Sequence, residues 1–172
     1  MKGILLILVL LVNVSCLRKS ANDQVRTLMQ SDFKKQIKFH EKMVPVKNAR
    51  DVNKKYYIIH YFSADCDKCI NRLREIKKFM DKNKDLPIDY RFIFTAPTDY
   101  FVKQALKSVK IEYPIYWDKE FWGFQIVNGI PIQEPKYETM LLNEKNELIL
   151  YGHFFDNQKA YDLLTNFLNE NN

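Results

Sequence analysis

Glycine and proline are scarce, four and six residues in a chain of 172. With hydrophobic residues at 47% and 12 Phe, 10 Tyr and 2 Trp, that composition excludes a disordered or low-complexity chain and suffices for one well-packed core. No internal repeat is visible, and no nucleic-acid motif. The formal charge of +6 is not gathered into a basic stretch, since Lys and Arg alternate with acids, as in Lys77-Lys78 followed by Asp81-Lys82-Asn83-Lys84-Asp85. A solvated surface of mixed charge follows, and nucleic acid is not an expected partner. Long apolar runs are also missing. The one at residues 4–12 is too short to cross a bilayer comfortably as a mature helix. Cysteine is limited to Cys16, Cys66 and Cys69.

The start of the chain reads as an address. A single positive charge at Lys2 precedes the apolar run, and Asn13-Val14-Ser15-Cys16 closes it. A charged start, an apolar centre and a small residue before the cut make a signal peptide. A cysteine directly after that small residue resembles the bacterial lipobox, although Asn13 stands where an aliphatic residue is commoner. The resemblance implies residues 1–15 as a lipoprotein signal peptide, cleavage before Cys16, and lipid on its sulfur and amine. The alternative is an ordinary secretory signal cut nearby. Two or three acyl chains would hold the protein firmly on a membrane. Residues 16–50 then form the anchor, tether and N-terminal extension, and residues 51–172 the main domain. The short segment after Cys16 has no acidic run, which points to a periplasm-facing anchor in the cell envelope.

Within the mature chain, Val25, Leu28, Met29 and Phe33 recur at helical spacing, and Ile37 and Phe39 alternate, suggesting a helix and then an edge strand near residues 36–40. Residues 45–54 read as a loop. Residues 55–62 are nearly all apolar or aromatic, as in a strand buried on both faces. Ile70, Leu73, Ile76, Phe79 and Met80 mark a helix ending near Asn83. A strand over 88–95, a helix over 97–109, a short strand over 113–117 and a helical turn over 120–127 follow. Residues 138–143 and 147–151 form a hairpin, and Asp156 or Asn157 caps a last helix. Right-handed crossovers make the first strands parallel, and the hairpin adds antiparallel ones. The expected fold class is α/β, with a mixed central sheet and helices on both faces.

Cys66-Asp67-Lys68-Cys69 stands where the strand over 55–62 gives way to a helix. Unpaired N–H groups and the macrodipole at a helix start stabilise thiolate, which suits a redox dithiol. A structural disulfide remains open, but so short a loop removes little entropy from the unfolded chain. Zinc would need two more ligands, and His40, His60 and His153 have no finger-like spacing. Haem attachment needs a histidine after the second cysteine, where Ile70 stands. A copper-delivery protein of the Sco type would want three residues between the cysteines. The sequence calls for no cofactor and no metal, and it does not fix the oligomeric state.

C-x-x-C beside a βαβ pattern resembles the thioredoxin-like fold. The stretch Lys136-Tyr137-Glu138-Thr139-Met140-Leu141-Leu142-Asn143-Glu144-Lys145-Asn146-Glu147-Leu148-Ile149-Leu150-Tyr151-Gly152, with Asn128-Gly129-Ile130-Pro131 before it, is similar to the hairpin of TlpA/ResA-type thiol–disulfide oxidoreductases of Bacteroidetes-like bacteria. The resemblance covers residues 55–169. It implies an envelope oxidoreductase that exchanges disulfides with exported proteins through a Cys66–Cys69 disulfide. Cys66 would be the attacking thiolate and Cys69 the resolving thiol. Departures accompany it. Tyr137 or Glu138 occupies the place of the family's cis-proline before Thr139, Asp65 replaces the tryptophan before the first cysteine, and His60 replaces a buried carboxylate. His60, with an ordinary pKa of about 6.5, suits a proton relay to Cys69, or else is a strand histidine with a backbone partner. The departures keep a second reading in play, a non-catalytic binding lipoprotein of the same fold with a vestigial or structural C-x-x-C. A peroxidase of the peroxiredoxin kind fits less well, since Ser63 alone stands where a threonine is needed. Trp117, Trp122, Tyr113, Tyr116, Phe121 and Phe124 form an aromatic group suited to packing or to an extended peptide.

Overall fold

The computed structural model describes residues 19–47, 54–132 and 134–172. The expected signal peptide and the expected lipidation site, Cys16, lie outside the described residues. Six strands form one sheet in the order β1-β4-β3-β2-β5-β6, with β1 Met43–Lys47, β2 Tyr56–Ser63, β3 Ile88–Thr95, β4 Ile115–Asp118, β5 Thr139–Asn143 and β6 Leu148–Tyr151. β2, β3 and β4 run parallel, while β1, β5 and β6 join antiparallel to their neighbours. The helices are α1 Ala21–Met29, α2 Asp67–Lys82, α3 Asp99–Ser108, α4 Gly123–Val127 and α5 Gln158–Asn171, with single 3-10 turns at Gln30–Asp32 and Pro135–Tyr137.

β2 lies between β3 and β5, and its first six residues are buried without alternation. Both of its faces are covered, so Tyr56-Tyr57-Ile58-Ile59 carries no polar stripe. On one face Tyr56 meets Phe167 of α5 at 5.6 Å, and Phe79 of α2 meets Tyr161 of α5 at 5.8 Å. On the other, Tyr61 stacks on Phe124 of α4 at 5.3 Å, and Phe124 in turn meets Phe39 at 6.0 Å. Helices therefore stand on both faces, but unequally. The long helices α2 and α5 cover the first, and the short α4 with the Phe39 segment covers the second.

The N-terminal part departs from the expected pattern. The alternation at residues 36–40 yields no strand there, only an isolated antiparallel bridge between Gln36 and Glu147 beside β6. Ile37 and Phe39 are drawn in because this segment crosses the second face from the β6 edge toward β4. The strand comes later, as β1, whose last three residues fall in the stretch expected to be loop. It pairs with β4 at the sheet edge, with a register shift between Pro45 and Lys47. A proline can sit there because an edge strand has a side that needs no ladder donor. Leu28, expected on the inner face of its helix, is exposed, while Val25 and Met29 are buried. α1 packs beside α5 and β6, and Ala21 N–H donates to Glu170 Oε1 at 2.7 Å. Among the described residues, no helix is long and apolar enough to cross a membrane.

Candidate active site

Cys66 and Cys69 are joined in a disulfide at the start of α2, with Cα atoms 5.2 Å apart. Two residues link the end of β2 to this point, and Ala64 N–H donates to Thr95 O of β3 at 2.9 Å, tying the link to the sheet. The disulfide therefore stands beyond the carboxyl ends of the parallel strands, where open α/β sheets place their sites. Cys66 is the N-cap of α2, and its Sγ accepts the Cys69 backbone N–H at 3.3 Å. Leu73, Ile76 and Met80 continue the face of Cys69 along the helix, and their burial fixes its orientation. Both cysteines are half-buried.

A cavity of about 550 Å³ opens beside the disulfide. Both cysteines and His60 line it, with Phe121 and Trp122 on one side and Arg72 and Glu138 on another. A concave, largely apolar space of this size with a few polar groups is a ligand site in form.

His60 is 2% exposed and pairs in register with Thr139 across β2 and β5. Its Nδ1 is 3.0 Å from Thr139 Oγ1, and its Nε2 has no hydrogen-bond partner. The expected backbone partner is thus a side-chain hydroxyl. Phe92 stacks on the ring at 5.2 Å. Burial, then the charge of Arg72 and then His153, push its pKa down to about 3. The resting ring is neutral at physiological pH, well below the range that made a histidine attractive as a relay.

Glu138 directly precedes β5 and lines the cavity; with Tyr137 it is one of the two residues that stand where the resemblance expects a proline. Its carbonyl accepts Tyr61 N–H at 2.8 Å, and its carboxylate pairs with Arg72 Nη1 at 2.8 Å. No peptide bond among the described residues is cis. Arg72 also reaches Asp156 at 3.8 Å, touches the His153 ring and lies over Phe155 at 5.1 Å. His153 is pushed below its ordinary pKa, by burial first and then by Arg72. Neither Arg72 nor Glu138 was distinguishable as a site residue in the sequence, although the spacing of Arg72 from Cys69 places both on one helix face.

Asp118 is a further residue that sequence reasoning missed. It is fully buried at the end of β4 and accepts Phe124 N–H at 2.8 Å and Glu120 N–H at 3.2 Å, with His40 Nε2 3.0 Å away. These bonds hold the loop that carries Phe121 and Trp122 to the cavity, both in left-handed backbone conformations with φ of 45° and 83°. Of the aromatic group singled out in the sequence, these two face the cavity, whereas Phe124 is core. Among the described residues no group of His, Cys, Asp and Glu is placed to hold a metal ion.

This architecture is the thioredoxin-like fold. A solution structure of a thioredoxin-like protein in the oxidised form matches with a TM-score of 0.57 and 14% identity, over 84% of this chain and all of that one. A domain of a possible thiol-disulfide isomerase from Cytophaga hutchinsonii matches with a TM-score of 0.54 and 17% identity, over 71% of this chain and 82% of that one. The thioredoxin domain of a thiol-disulfide oxidoreductase from Bacteroides vulgatus matches with a TM-score of 0.53 and 15% identity, over 67% and 80%. No protein-family model and no curated protein matches the sequence.

Proposed function

We propose that this protein is an envelope thiol–disulfide oxidoreductase that exchanges disulfides with other exported proteins through Cys66 and Cys69. The observation that carries this reading is the Cys66–Cys69 disulfide at the first turn of α2, in the wall of an open cavity. A four-residue loop gains the fold little as a cross-link, so its position is better explained by reactivity. Cys66, at the N-cap, is the sulfur attacked in the oxidised form and the nucleophile in the reduced form, where the Cys69 N–H and the helix dipole favour its thiolate. Cys69 resolves the mixed disulfide. His60, neutral at rest, passes a proton through its unpartnered Nε2. A thiolate developing at Cys69 raises the imidazole pKa, and the proton can then be held there. The names of the Bacteroides vulgatus and Cytophaga hutchinsonii structures agree with this chemistry.

The location follows from the N-terminal sequence. Cleavage before Cys16 and lipidation of that residue would tether the thioredoxin-like domain to a membrane, facing the periplasm. Its partners would then be the thiols and disulfides of exported proteins, in a compartment where disulfides persist.

The decisive experiment is reduction of a protein disulfide by the purified full-length protein in detergent, with dithiothreitol as electron source. The expected result is catalysis above the dithiothreitol background that disappears in Cys66→Ser. In Cys69→Ser, mixed disulfides with the substrate should accumulate. Equal rates for wild type and Cys66→Ser would leave the protein a non-catalytic binding module.

A further inference from the structure

Arg72 follows Cys69 by three positions on α2, and the two share the helix face that lines the cavity. Its side chain is 33% exposed, and its guanidinium is tied to groups from beyond the helix. Glu138 holds it from just before β5, at 2.8 Å, and Asp156 from the loop before α5, at 3.8 Å. Phe155 and His153 pack on it. A cation from the dithiol helix is thus bound to a residue that lines the same cavity from the segment before β5. A partly exposed ion pair adds little to stability. A cation one helical turn from a reacting sulfur does more to chemistry.

We propose that Arg72 is the counter-ion of the thiolate that leaves Cys69 when the disulfide opens, and that Glu138 sets how much of that charge is available. This rests on the exchange chemistry assigned above to Cys66 and Cys69. With glutathione as reductant, its thiolate attacks Cys66 Sγ, and the electron pair of the broken bond goes to Cys69 Sγ. A second glutathione thiolate attacks the glutathione sulfur of the mixed disulfide and releases Cys66 as thiolate. Two glutathione molecules are oxidised to one disulfide and the protein gains two electrons. Of the two protons given up by glutathione, those not taken up by the reduced cysteines go to solvent. The share of Cys69 held as thiolate at pH 7 is what Arg72 changes. The negative charge on Cys69 arises one helical turn from Arg72, in the wall of the same cavity, in both directions of the reaction. The other charged groups facing it are Lys68 and Asp65 on the near wall and Glu138, Asp156 and His153 beyond. None of the cations among them shares the position of Arg72, one turn after Cys69 on the same face.

The two partners act in opposite directions, which gives the test. Full-length wild type, Arg72→Met, Arg72→Lys and Glu138→Gln are equilibrated with glutathione buffers at pH 7. Alkylation and mass spectrometry then give the oxidised fraction. Arg72→Met should lower the equilibrium constant for reduction roughly three- to tenfold, or about 15–30 mV for two electrons. Solvent screening of a partly exposed guanidinium keeps the change to this size. Glu138→Gln should raise it, by about two- to threefold, and Arg72→Lys should stay near wild type. Added salt should shrink both shifts. Constants within twofold of wild type for Arg72→Met, or shifts of one sign in Arg72→Met and Glu138→Gln, would overturn the proposal. If Arg72→Met does not fold, a Glu138→Gln shift that is absent or downward overturns it equally. The glutathione equilibrium is a property of the disulfide itself. It is therefore read even if the protein fails to reduce protein disulfides, which is the separate failure of the proposed activity.

Discussion

A histidine closed in by Phe92, Tyr90 and Phe155 loses most of the water that would stabilise its cation, and the neighbouring Arg72 adds repulsion. In the unfolded chain the same residue titrates near its ordinary value of about 6.5. Between that value and about 3 the unfolded state binds the extra proton, so stability is complete above the unfolded pKa and declines as pH falls. For His60 alone the loss between pH 8 and pH 5 amounts to about 2 kcal/mol. His153, also pushed down, adds to the loss with the same sign. Urea denaturation at the two pH values should show this decline in wild type and a shallower one in His60→Phe, which keeps the ring packing. Equal slopes would mean that His60 is not held neutral. The His60→Phe variant leaves the Thr139 hydroxyl unpaired, so its absolute stability at pH 8 should also be lower by about 1 kcal/mol.

The loop between β4 and α4 is held in large part by one buried carboxylate, with Trp122 N–H donating to Thr95 Oγ1 beside it. Asp118 accepts two backbone N–H groups from the loop, and Gly123 sits so close that an added Cβ would lie 2.8 Å from His40 Nε2 and 2.9 Å from Asp118 Oδ1. Asp118→Ala leaves those donors unmet inside the fold and should cost roughly 2–4 kcal/mol, measured by denaturant unfolding. The same change should loosen Phe121 and Trp122 and alter tryptophan fluorescence, while the disulfide still forms. How far such elements could be read from sequence depends on whether their cause is local. β3 was expected over the residues it occupies, because the alternation from Ile88 to Thr95 carries its own signal. α2 was legible for the same reason, its apolar spacing beginning directly after the cysteines. β1 was not, since its strand state comes from pairing with β4 and its proline argues against a strand unless an edge is known to be there. The cysteines of the site announced themselves by spacing. Asp118, Arg72 and Glu138 did not, because their partners approach from elements distant in the sequence.

The disulfide stands beyond the carboxyl ends of β2 and β3, while α1, nearest Cys16 in sequence, packs with α5 and β6. Only residues 17–20 lie between Cys16 and Ala21, the first residue of α1. Fully extended, that length of chain reaches about 14–18 Å, so a lipid on Cys16 would hold the domain close to the membrane surface. α1 cannot lengthen this tether cheaply, because Ala21 and Asn22 N–H donate to Glu170 near the end of α5. Two or more acyl chains give firm attachment, whereas a polypeptide segment without them and without a spanning helix has no comparable hold. On the proposed reading, Cys16→Ser should move the protein from the membrane fraction to the soluble fraction of disrupted cells, or leave it with its signal uncleaved. Mass spectrometry of the wild-type N-terminus should find diacylglycerol on Cys16. The glutathione equilibrium of Cys66–Cys69 in the variant should remain that of wild type, because on the proposed reading Cys16 carries lipid and takes no part in the exchange. A changed equilibrium in Cys16→Ser would instead make Cys16 a redox participant and remove it as an anchor.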